Sequence, residues 1–438
     1  MHLPSLPGAV HLTYCTNIHA GESWPEVAAS LEQTIPVIKA QLGLRTRFGI
    51  GLRLSARAAF ALAEPATLQA FAAQLDRLGA YVFSINAFPY GPFHGQPVKQ
   101  QVYLPDWRDV ARLDYTACCA QILAQLLPPG LQGSISSVPG GWKAELQDEP
   151  TQAPMLAHLL QAAAMLARLE QQSGRRIALA LEPEPGCFLE TVDDSIAFFT
   201  QQLWHPVQVR QLATALDCSE QQAAHLLRRH IGVCYDVCHA AVEFEDPLPA
   251  MQRLLQHGIV IPKIQLSCAL RVARMQAALV PALQRFDDGV YLHQVVVRGV
   301  DGQLQRFADL PQALAAFAAG MADGEWRVHC HVPLYWQAEE QGAAATRAGE
   351  AENGSGITPA GGVENASRAR SADAAVADLA STAAELRATL RGLKSLALSD
   401  HLEVETYTWD VLPPELKTGS KAVAIARELA FVLKELEA

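Results

Sequence analysis

The chain has 438 residues and a mass of 47.4 kDa; 50% of the residues are hydrophobic and 18% are charged. This supply of apolar side chains is enough for a full core, which excludes a small scaffold held together by disulfides. Lys and Arg number 34 against 45 Asp and Glu, a formal net charge of −11, so we expect no general binder of nucleic acid or of anionic membranes.

Cysteine content and the N-terminal sequence bear on the compartment. The nine cysteines are an odd number without paired Cys-x-x-Cys motifs, which is typical of reduced thiols in the cytoplasm. The N-terminus lacks a basic stretch followed by an apolar one, and no run of about 18 apolar residues occurs. We therefore predict a cytoplasmic globular protein with no signal peptide and no membrane insertion.

Short apolar runs alternate with longer helical patterns along the chain. The predicted strands are, in chain order, His11–His19, Phe48–Ser55, Ala80–Ala87, Gly133–Val138, Ile177–Glu182, Ile231–His239, Pro262–Leu270 and His401–Trp409. The predicted helices are Trp24–Leu42, Ala66–Leu78, Asp106–Leu127, Thr151–Gln172, Val192–Leu203, Pro247–His257, Asp373–Leu393 and Lys421–Glu437. Eight strand–helix units predict an α/β fold, a single (β/α)8 TIM barrel spanning residues 1–438. The alternative is an open doubly wound sheet, but no Gly-x-Gly-x-x-Gly motif follows the first strand.

Two stretches between the seventh and eighth strands interrupt the alternation. Residues 271–336 are predicted to be a β-rich insertion, with strands at Val290–Val300 and Trp326–Pro333. Ala338–Ala372 is rich in Ala, Gly, Glu, Ser and Thr and has hardly any large apolar residue. Such a composition buries too little apolar surface to offset the entropy of ordering, so it predicts a disordered linker.

Polar residues end the fifth and sixth strands, where barrel enzymes carry their reactive groups. Glu182 directly follows an apolar strand, and a buried ionised carboxylate needs a metal, a base or hydrogen-bond donors. Asp236 and His239 stand three residues apart, and an oxygen–nitrogen ligand pair suits zinc, manganese or cobalt. Alternatively, Asp236 caps the next helix and His239 packs inside it. Glu184 is equally compatible with a solvated or helix-capping role.

Later strands offer further candidates. Glu405 lies near the C-terminal end of the eighth strand, and with Glu182 it predicts an acid/base pair that moves a proton across the barrel mouth. Gln265 in the seventh strand is either a core amide or a weak oxygen ligand. His329 and His331 place two imidazoles on one side of an extended segment, as metal ligands or as partly buried histidines.

Four residues are candidates for substrate binding. Asn17 and His19 follow the first strand, Asn86 ends the third, and Lys143 follows the fourth. Lys143 can meet a phosphate or a carboxylate, although a lone lysine is usually solvated. The loop Phe88–Gly95 is rich in aromatic residues, Pro and Gly, and we interpret it as a cover over the substrate.

The pattern of Glu182, Asp236-x-x-His239 and Glu405 resembles the xylose isomerase-like TIM-barrel superfamily. That superfamily includes sugar and sugar-phosphate isomerases, ketose epimerases and endonuclease-IV-type DNA repair enzymes. Its members typically hold a divalent metal with a Glu, an Asp, a His and a Glu that end strands five to eight. The resemblance implies that Glu182, Asp236 and Glu405 are metal ligands here, and His239 matches the histidine of the Asp-x-x-His motif.

The resemblance departs at strand seven, where Gln265 stands in place of the usual histidine. His329 or His331 is then the expected substitute ligand. Within the superfamily the chain is most similar to the EboE family, barrel proteins encoded in bacterial operons linked to metabolite traffic. The segments that carry this likeness are His11–His19, Asn86–Gly91, Tyr235–His239 and His329–Leu334.

These observations lead to one main functional hypothesis and two alternatives. The main hypothesis is a metal-assisted isomerase or epimerase of a small, polyhydroxylated and in some cases phosphorylated metabolite, with Glu182 and Glu405 as acid/base groups and His239 orienting a hydroxyl. The alternatives are a non-catalytic metabolite-binding barrel and, against the acidic charge, a phosphodiesterase of the endonuclease-IV type. Further expectations are a homo-oligomer and partners encoded in the same operon.

Overall fold

Eight parallel strands form a curved sheet that nearly closes on itself. The computed structural model describes residues 1–336, 379–417 and 419–438, without the side chain of Glu415. The barrel strands are β1 (His11–Tyr14), β2 (Phe48–Arg53), β3 (Ala80–Asn86), β4 (Gly133–Ser137), β5 (Ile177–Leu181), β6 (Ile231–Asp236), β7 (Lys263–Leu266) and β13 (His401–Val404). Their order is β1-β13-β7-β6-β5-β4-β3-β2, and all their residues are buried, as expected of parallel strands covered by helices. The predicted α/β barrel is confirmed.

The barrel closes between β1 and β2 through few hydrogen bonds. Cys15 and Gly51 form an isolated parallel bridge. The Thr13 hydroxyl donates to the Gly49 carbonyl (2.7 Å) and accepts from the Gly51 N–H (3.1 Å). A side chain therefore takes the place of part of the backbone ladder at this seam.

Most helices of the described residues lie outside the barrel sheet, and the two between Val280 and Ala318 belong to the segment inserted after β7. These helices are α1 (Trp24–Gln41), α2 (Ala56–Leu62), α3 (Pro65–Leu78), α4 (Val110–Leu126), α5 (Glu149–Ser173), α6 (Val192–Ala197), α7 (Pro206–Leu216), α8 (Glu220–His230), α9 (Val237–Val242), α10 (Pro247–Gln256), α11 (Val280–Gln284), α12 (Leu310–Ala318), α13 (Ala383–Leu393) and α14 (Lys421–Glu437). The predicted start of the fourth helix at Asp106 is wrong by a few residues. Asp109 caps α4 by accepting from the Ala111 N–H, while Asp106 binds Arg108.

An antiparallel sheet of five short strands is inserted after β7. It contains β8 (Leu270–Val272), β9 (Val295–Arg298), β10 (Leu304–Phe307), β11 (Glu325–Val328) and β12 (Ala380–Ser381), in the order β10-β9-β11-β8-β12. The predicted β-rich segment is thus confirmed, and its strands are shorter than predicted. Ala338–Ala372, the predicted linker, lies outside the described residues. Within the described ranges, none of the helices combines the length and the apolar character that crossing a membrane requires.

Several predicted strands run too far at their C-terminal ends. The chain leaves β1 in a 3₁₀ turn at Thr16–Ile18, leaves β6 directly into α9, and leaves β13 before a 3₁₀ turn at Tyr407–Asp410. The sequence stays apolar across these points because the turns are themselves buried. The early exits place polar side chains at the mouth of the barrel.

Candidate metal centre

Three buried carboxylates meet at the C-terminal end of the barrel. Glu182 follows β5, Asp236 ends β6 and Glu405 follows β13, and each is at most 4% exposed. One oxygen from each lies within 4.8 Å of the others. Glu182 Oε2, Asp236 Oδ2 and Glu405 Oε2 have no hydrogen-bond partner in the described structure. Buried carboxylate oxygens without donors are costly, so this arrangement calls for a proton or a cation.

The electrostatics of the three carboxylates differ. Burial, together with the negative charge of Asp236, raises the pKa of Glu182 well above its usual value. Burial and then the charge of Glu182 do the same for the pKa of Glu405. Burial also acts on Asp236, but the facing imidazoles of His239 and His331 and its hydrogen bonds outweigh it, so the pKa of Asp236 is lowered. Asp236 is therefore the ionised member, and the two glutamates accept protons readily.

Asp236 has two structural roles at once. Its Oδ1 accepts from the His239 N–H (3.0 Å), which caps α9, and from the Ser267 hydroxyl (2.7 Å). Its Oδ2 remains free towards the other carboxylates. The helix-cap interpretation and the site interpretation thus both apply to this residue.

Two asparagines orient Glu405. The Asn17 amide donates to Glu405 Oε1 at 2.6 Å, and the Asn86 amide reaches the same oxygen at 3.4 Å. The other oxygen of Glu405 is consequently turned towards Glu182 and Asp236. Asn17 and Asn86 were predicted to bind substrate; they do line the chamber described below, their amide nitrogens donate to Glu405, and the Asn17 side-chain oxygen has no partner in the described structure.

Three buried histidines present their Nε2 atoms to the same region. His239 Nδ1 lies 2.9 Å from the Pro183 carbonyl and His331 Nδ1 lies 2.8 Å from the Glu405 carbonyl, so both Nδ1 atoms must carry the proton. His329 Nδ1 donates to the side-chain oxygen of Gln294 (2.7 Å). Each ring is therefore fixed with its Nε2 lone pair free to bind a metal.

Two of these lone pairs face each other. His329 Nε2 and His331 Nε2 are 3.3 Å apart. Burial lowers the pKa of His331 to about 4 and the pKa of His329 well below its usual value, so both rings are neutral near pH 7. Two neutral nitrogen lone pairs at this distance repel each other unless a cation lies nearby.

The donor atoms form overlapping sets of three. Asp236, His239 and His331 are close enough to share one ion, as are Glu182, Asp236 and Glu405. Asp236 belongs to both sets, which places nitrogen and oxygen ligands side by side. Oxygen and imidazole donors together fit zinc, manganese or cobalt.

A buried ion pair lies deeper in the barrel. Lys263 Nζ donates to Glu403 Oε1 (2.9 Å) and to the Ser136 hydroxyl (3.1 Å), and both charged side chains are fully buried. The Lys263 charge lowers the pKa of Glu182 and of Glu405, although burial dominates in both. Since Glu403 neutralises Lys263, the carboxylates at the mouth remain without a compensating cation from the described part of the protein.

The remaining predicted site residues differ in their positions. Gln265 lies on β7 opposite Asp236 and accepts from the Cys234 thiol (3.4 Å), and its Nε2 has no partner in the described structure. His19 bonds to the Tyr14 hydroxyl (3.0 Å) beside a different, small surface pocket. Lys143 is paired with Glu190 (2.6 Å) and does not line the chamber.

Some residues of the site were not among the predicted ones. Glu184 accepts from the Tyr103 hydroxyl (2.7 Å) and from the Gln294 amide (3.3 Å), and burial raises its pKa. Glu184, His239 and His329 form another set that could hold an ion. The Glu-Pro-Glu sequence offered a signal for Glu184, but nothing in the sequence connects Tyr103 or Gln294 to it.

A chamber lies beside the carboxylates at the mouth of the barrel. Its floor includes Glu182, Glu184, Glu405, His239 and His329. The arrangement can hold a metal ion and a small substrate against two carboxyl groups.

The chain matches no protein-family model and no curated protein sequence. Among solved structures it is similar to the IOLI protein with a bound zinc atom, with a TM-score of 0.40 and 10% identity over 98% of both chains. It is also similar to 3-keto-D-glucoside 4-epimerase from E. coli, with a TM-score of 0.32 and 11% identity over 58% of this chain and 78% of that one. A xylose isomerase domain protein from Alicyclobacillus acidocaldarius gives a TM-score of 0.32 and 15% identity over 58% and 73%.

These likenesses are distant and concern the fold. They assign no family, metal, substrate or activity to this chain, so the resemblance to the xylose isomerase-like superfamily stays a prediction. None of them bears on the EboE resemblance, which stays a prediction.

Proposed function

We propose that this protein is a metal-dependent isomerase or epimerase acting on a small polyhydroxylated metabolite. The observation that carries the proposal is the group of three partnerless carboxylate oxygens on Glu182, Asp236 and Glu405, of which Glu182 and Glu405 line the chamber. Neutral imidazole nitrogens lie beside them, with His331 close to Asp236. A divalent ion held by these groups would polarise a carbonyl–hydroxyl pair of the substrate.

The residues of the chain supply the proton transfers. Glu182 and Glu405 stand on strands separated by β6 and β7, so they approach a bound molecule from different directions. Their raised pKa values allow one to hold a proton while the other removes one from a substrate carbon. His239 Nε2 is free to accept a hydrogen bond from a substrate hydroxyl, because its Nδ1 is committed to Pro183.

The proposal is tested by metal binding and hydrogen exchange together. We expect the protein to bind one or more equivalents of Mn²⁺ in calorimetric titration. We also expect it to exchange a carbon-bound hydrogen of D-fructose or D-psicose with deuterated water, followed by NMR. Glu182→Gln and Glu405→Gln should each weaken Mn²⁺ binding by on the order of tenfold or more and abolish exchange. Glu64→Gln is the control, because Glu64 is exposed and makes no side-chain capping bond.

The possible results separate the alternatives. Failure of the wild-type protein to bind Mn²⁺, Zn²⁺ or Co²⁺ would overturn the metal centre. Metal binding without exchange in a broad panel of ketoses and aldoses would instead favour a metabolite-binding barrel. Nicking of abasic plasmid DNA would point to phosphodiester hydrolysis.

A further inference from the structure

The chamber is lined by two kinds of side chain. Carboxylates and imidazoles form its floor, and apolar and aromatic side chains form the wall beside them. The apolar members of that wall are Phe88, Pro89, Phe93, Val98, Val102 and Leu292. Apolar side chains do not stabilise a bound phosphate or carboxylate group. They do stabilise a bound apolar group, because its surface is removed from water.

The wall is held in place by contacts among four segments of the chain. The Phe93 ring packs on Tyr291 (5.1 Å between centroids) and on Tyr407 (5.2 Å). The Tyr291 hydroxyl donates to His94 Nδ1 (3.0 Å), and His94 Nε2 donates to the Asn17 carbonyl (2.6 Å). The wall is therefore built before any ligand arrives, which reduces the entropic cost of binding an apolar group against it.

The charged side chains of the chamber also disfavour an anionic ligand. Lys99 is the only Lys or Arg among the described residues that line it. Its Nζ forms an ion pair with Asp309 at 2.6 Å. This ion pair connects the loop after β3 to the start of α12. Arg53, which lies behind the Phe93 ring, is likewise paired with Glu22. No cation of the described chamber is thus free to neutralise an anionic substrate group.

We infer that the substrate is uncharged and carries an apolar substituent in addition to its vicinal oxygens. The vicinal oxygens face the carboxylate floor, and the substituent packs against Phe88, Phe93 and Leu292. The inference rests on the proposed function for the position of the polyhydroxylated end. It narrows the substrate class: an unphosphorylated glycoside or cyclic polyol with an alkyl or aryl group is favoured over a sugar phosphate.

Calorimetric binding of three matched probes to the Mn²⁺-treated protein tests the inference. The probes are methyl β-D-glucopyranoside, hexyl β-D-glucopyranoside and methyl β-D-glucopyranoside 6-phosphate. We expect the hexyl glycoside to bind roughly tenfold or more tightly than the methyl glycoside, since several methylenes leave water. The 6-phosphate should bind no more tightly than the methyl glycoside.

Two variants test the apolar wall and the paired charge of Lys99 separately. Phe93→Ala should remove most of the hexyl preference and leave the affinity for the methyl glycoside nearly unchanged. Asp309→Asn keeps a side-chain acceptor for α12 and frees Lys99, so it should increase the affinity for the 6-phosphate by roughly tenfold. A wild-type preference for the 6-phosphate, or equal affinity for the methyl and hexyl glycosides, would overturn the inference. Absence of binding by all three probes also counts against this substrate class. Mn²⁺ binding, measured separately, still decides the metal centre.

Discussion

At the scale of single residues, the sequence predicts those site residues that lie at the C-terminal ends of barrel strands. Glu182, Asp236 and Glu405 were predicted because barrel strands deliver their C-terminal residues to one mouth, and they do lie together. Their partners could not be predicted in the same way. Gln294 reaches Glu184 from 110 residues away in the chain, and only the three-dimensional path of the inserted sheet brings them together.

Glu428 gives a pH prediction at this scale. Its Oε1 accepts from the Thr406 hydroxyl (2.7 Å) and the Leu334 N–H (3.1 Å), and burial raises its pKa from 4.5 to about 7. A raised folded-state pKa means that the protonated form is favoured in the fold. Its contribution to stability is therefore fully present below pH 4.5 and is lost as the pH rises through about 7.

We predict that Glu428→Gln, which keeps an acceptor oxygen and does not titrate, becomes more stable relative to wild type as the pH rises. The difference in the free energy of unfolding should change by up to about 3 kcal/mol between pH 5 and pH 8. Urea denaturation at both pH values measures it, with Glu64→Gln as an exposed control. A difference that is the same at both pH values would contradict the assigned pKa.

At the scale of elements, buried strands and strongly amphipathic helices are predictable, whereas turns and polar helices are less so. α14 has the predicted bounds because its apolar stripe is continuous. α7 and α8 have no predicted counterpart, since α8 is mostly polar and buries only Ala223, Leu227 and His230. The seam between β1 and β2 could not be predicted at all, because it depends on how the side chains of β13 fill the barrel.

Gly51 tests that seam. A Cβ at this position would lie 1.9 Å from Glu403 Oε2 and 2.9 Å from the Tyr14 carbonyl oxygen. Gly51→Ala should therefore displace Glu403 from Lys263 or widen the seam, at a cost of about 2–3 kcal/mol in the free energy of unfolding. Thermal and urea denaturation measure the loss. Gly91→Ala is the matched control, since a Cβ at Gly91 meets no atom within 4 Å, and a similar loss in both variants would refute the steric argument.

At the scale of the whole molecule, the acidic residues and the inserted sheet both contribute groups to the candidate metal centre. The formal net charge of the chain is −11. The carboxylates of the candidate metal centre are the few that are buried at the mouth of the barrel. The inserted sheet adds His329 and His331, which follow β11, to these carboxylates. The sequence predicted the insertion and named His329 or His331 as the substitute for the histidine absent from the seventh strand. The structure brings His331 close to Asp236, and a ligand role for it stays a prediction.

This coupling predicts where a metal ion changes the dynamics. His331 and Asp236 belong to the same potential ligand set, so an ion bound there joins the inserted sheet to the barrel. Peptides covering residues 325–334 should then exchange their amide hydrogens on the order of tenfold more slowly with saturating Mn²⁺ than with EDTA. Peptides from α3, on the outside of the barrel, should be unaffected. At a Mn²⁺ concentration close to the wild-type Kd, the slowing should be smaller in Glu182→Gln than in wild type, because the weaker affinity lowers the occupancy. Protection that appears near Glu182 and Glu405 while residues 325–334 exchange at an unchanged rate would show that the ion is held by the carboxylates alone, without His331.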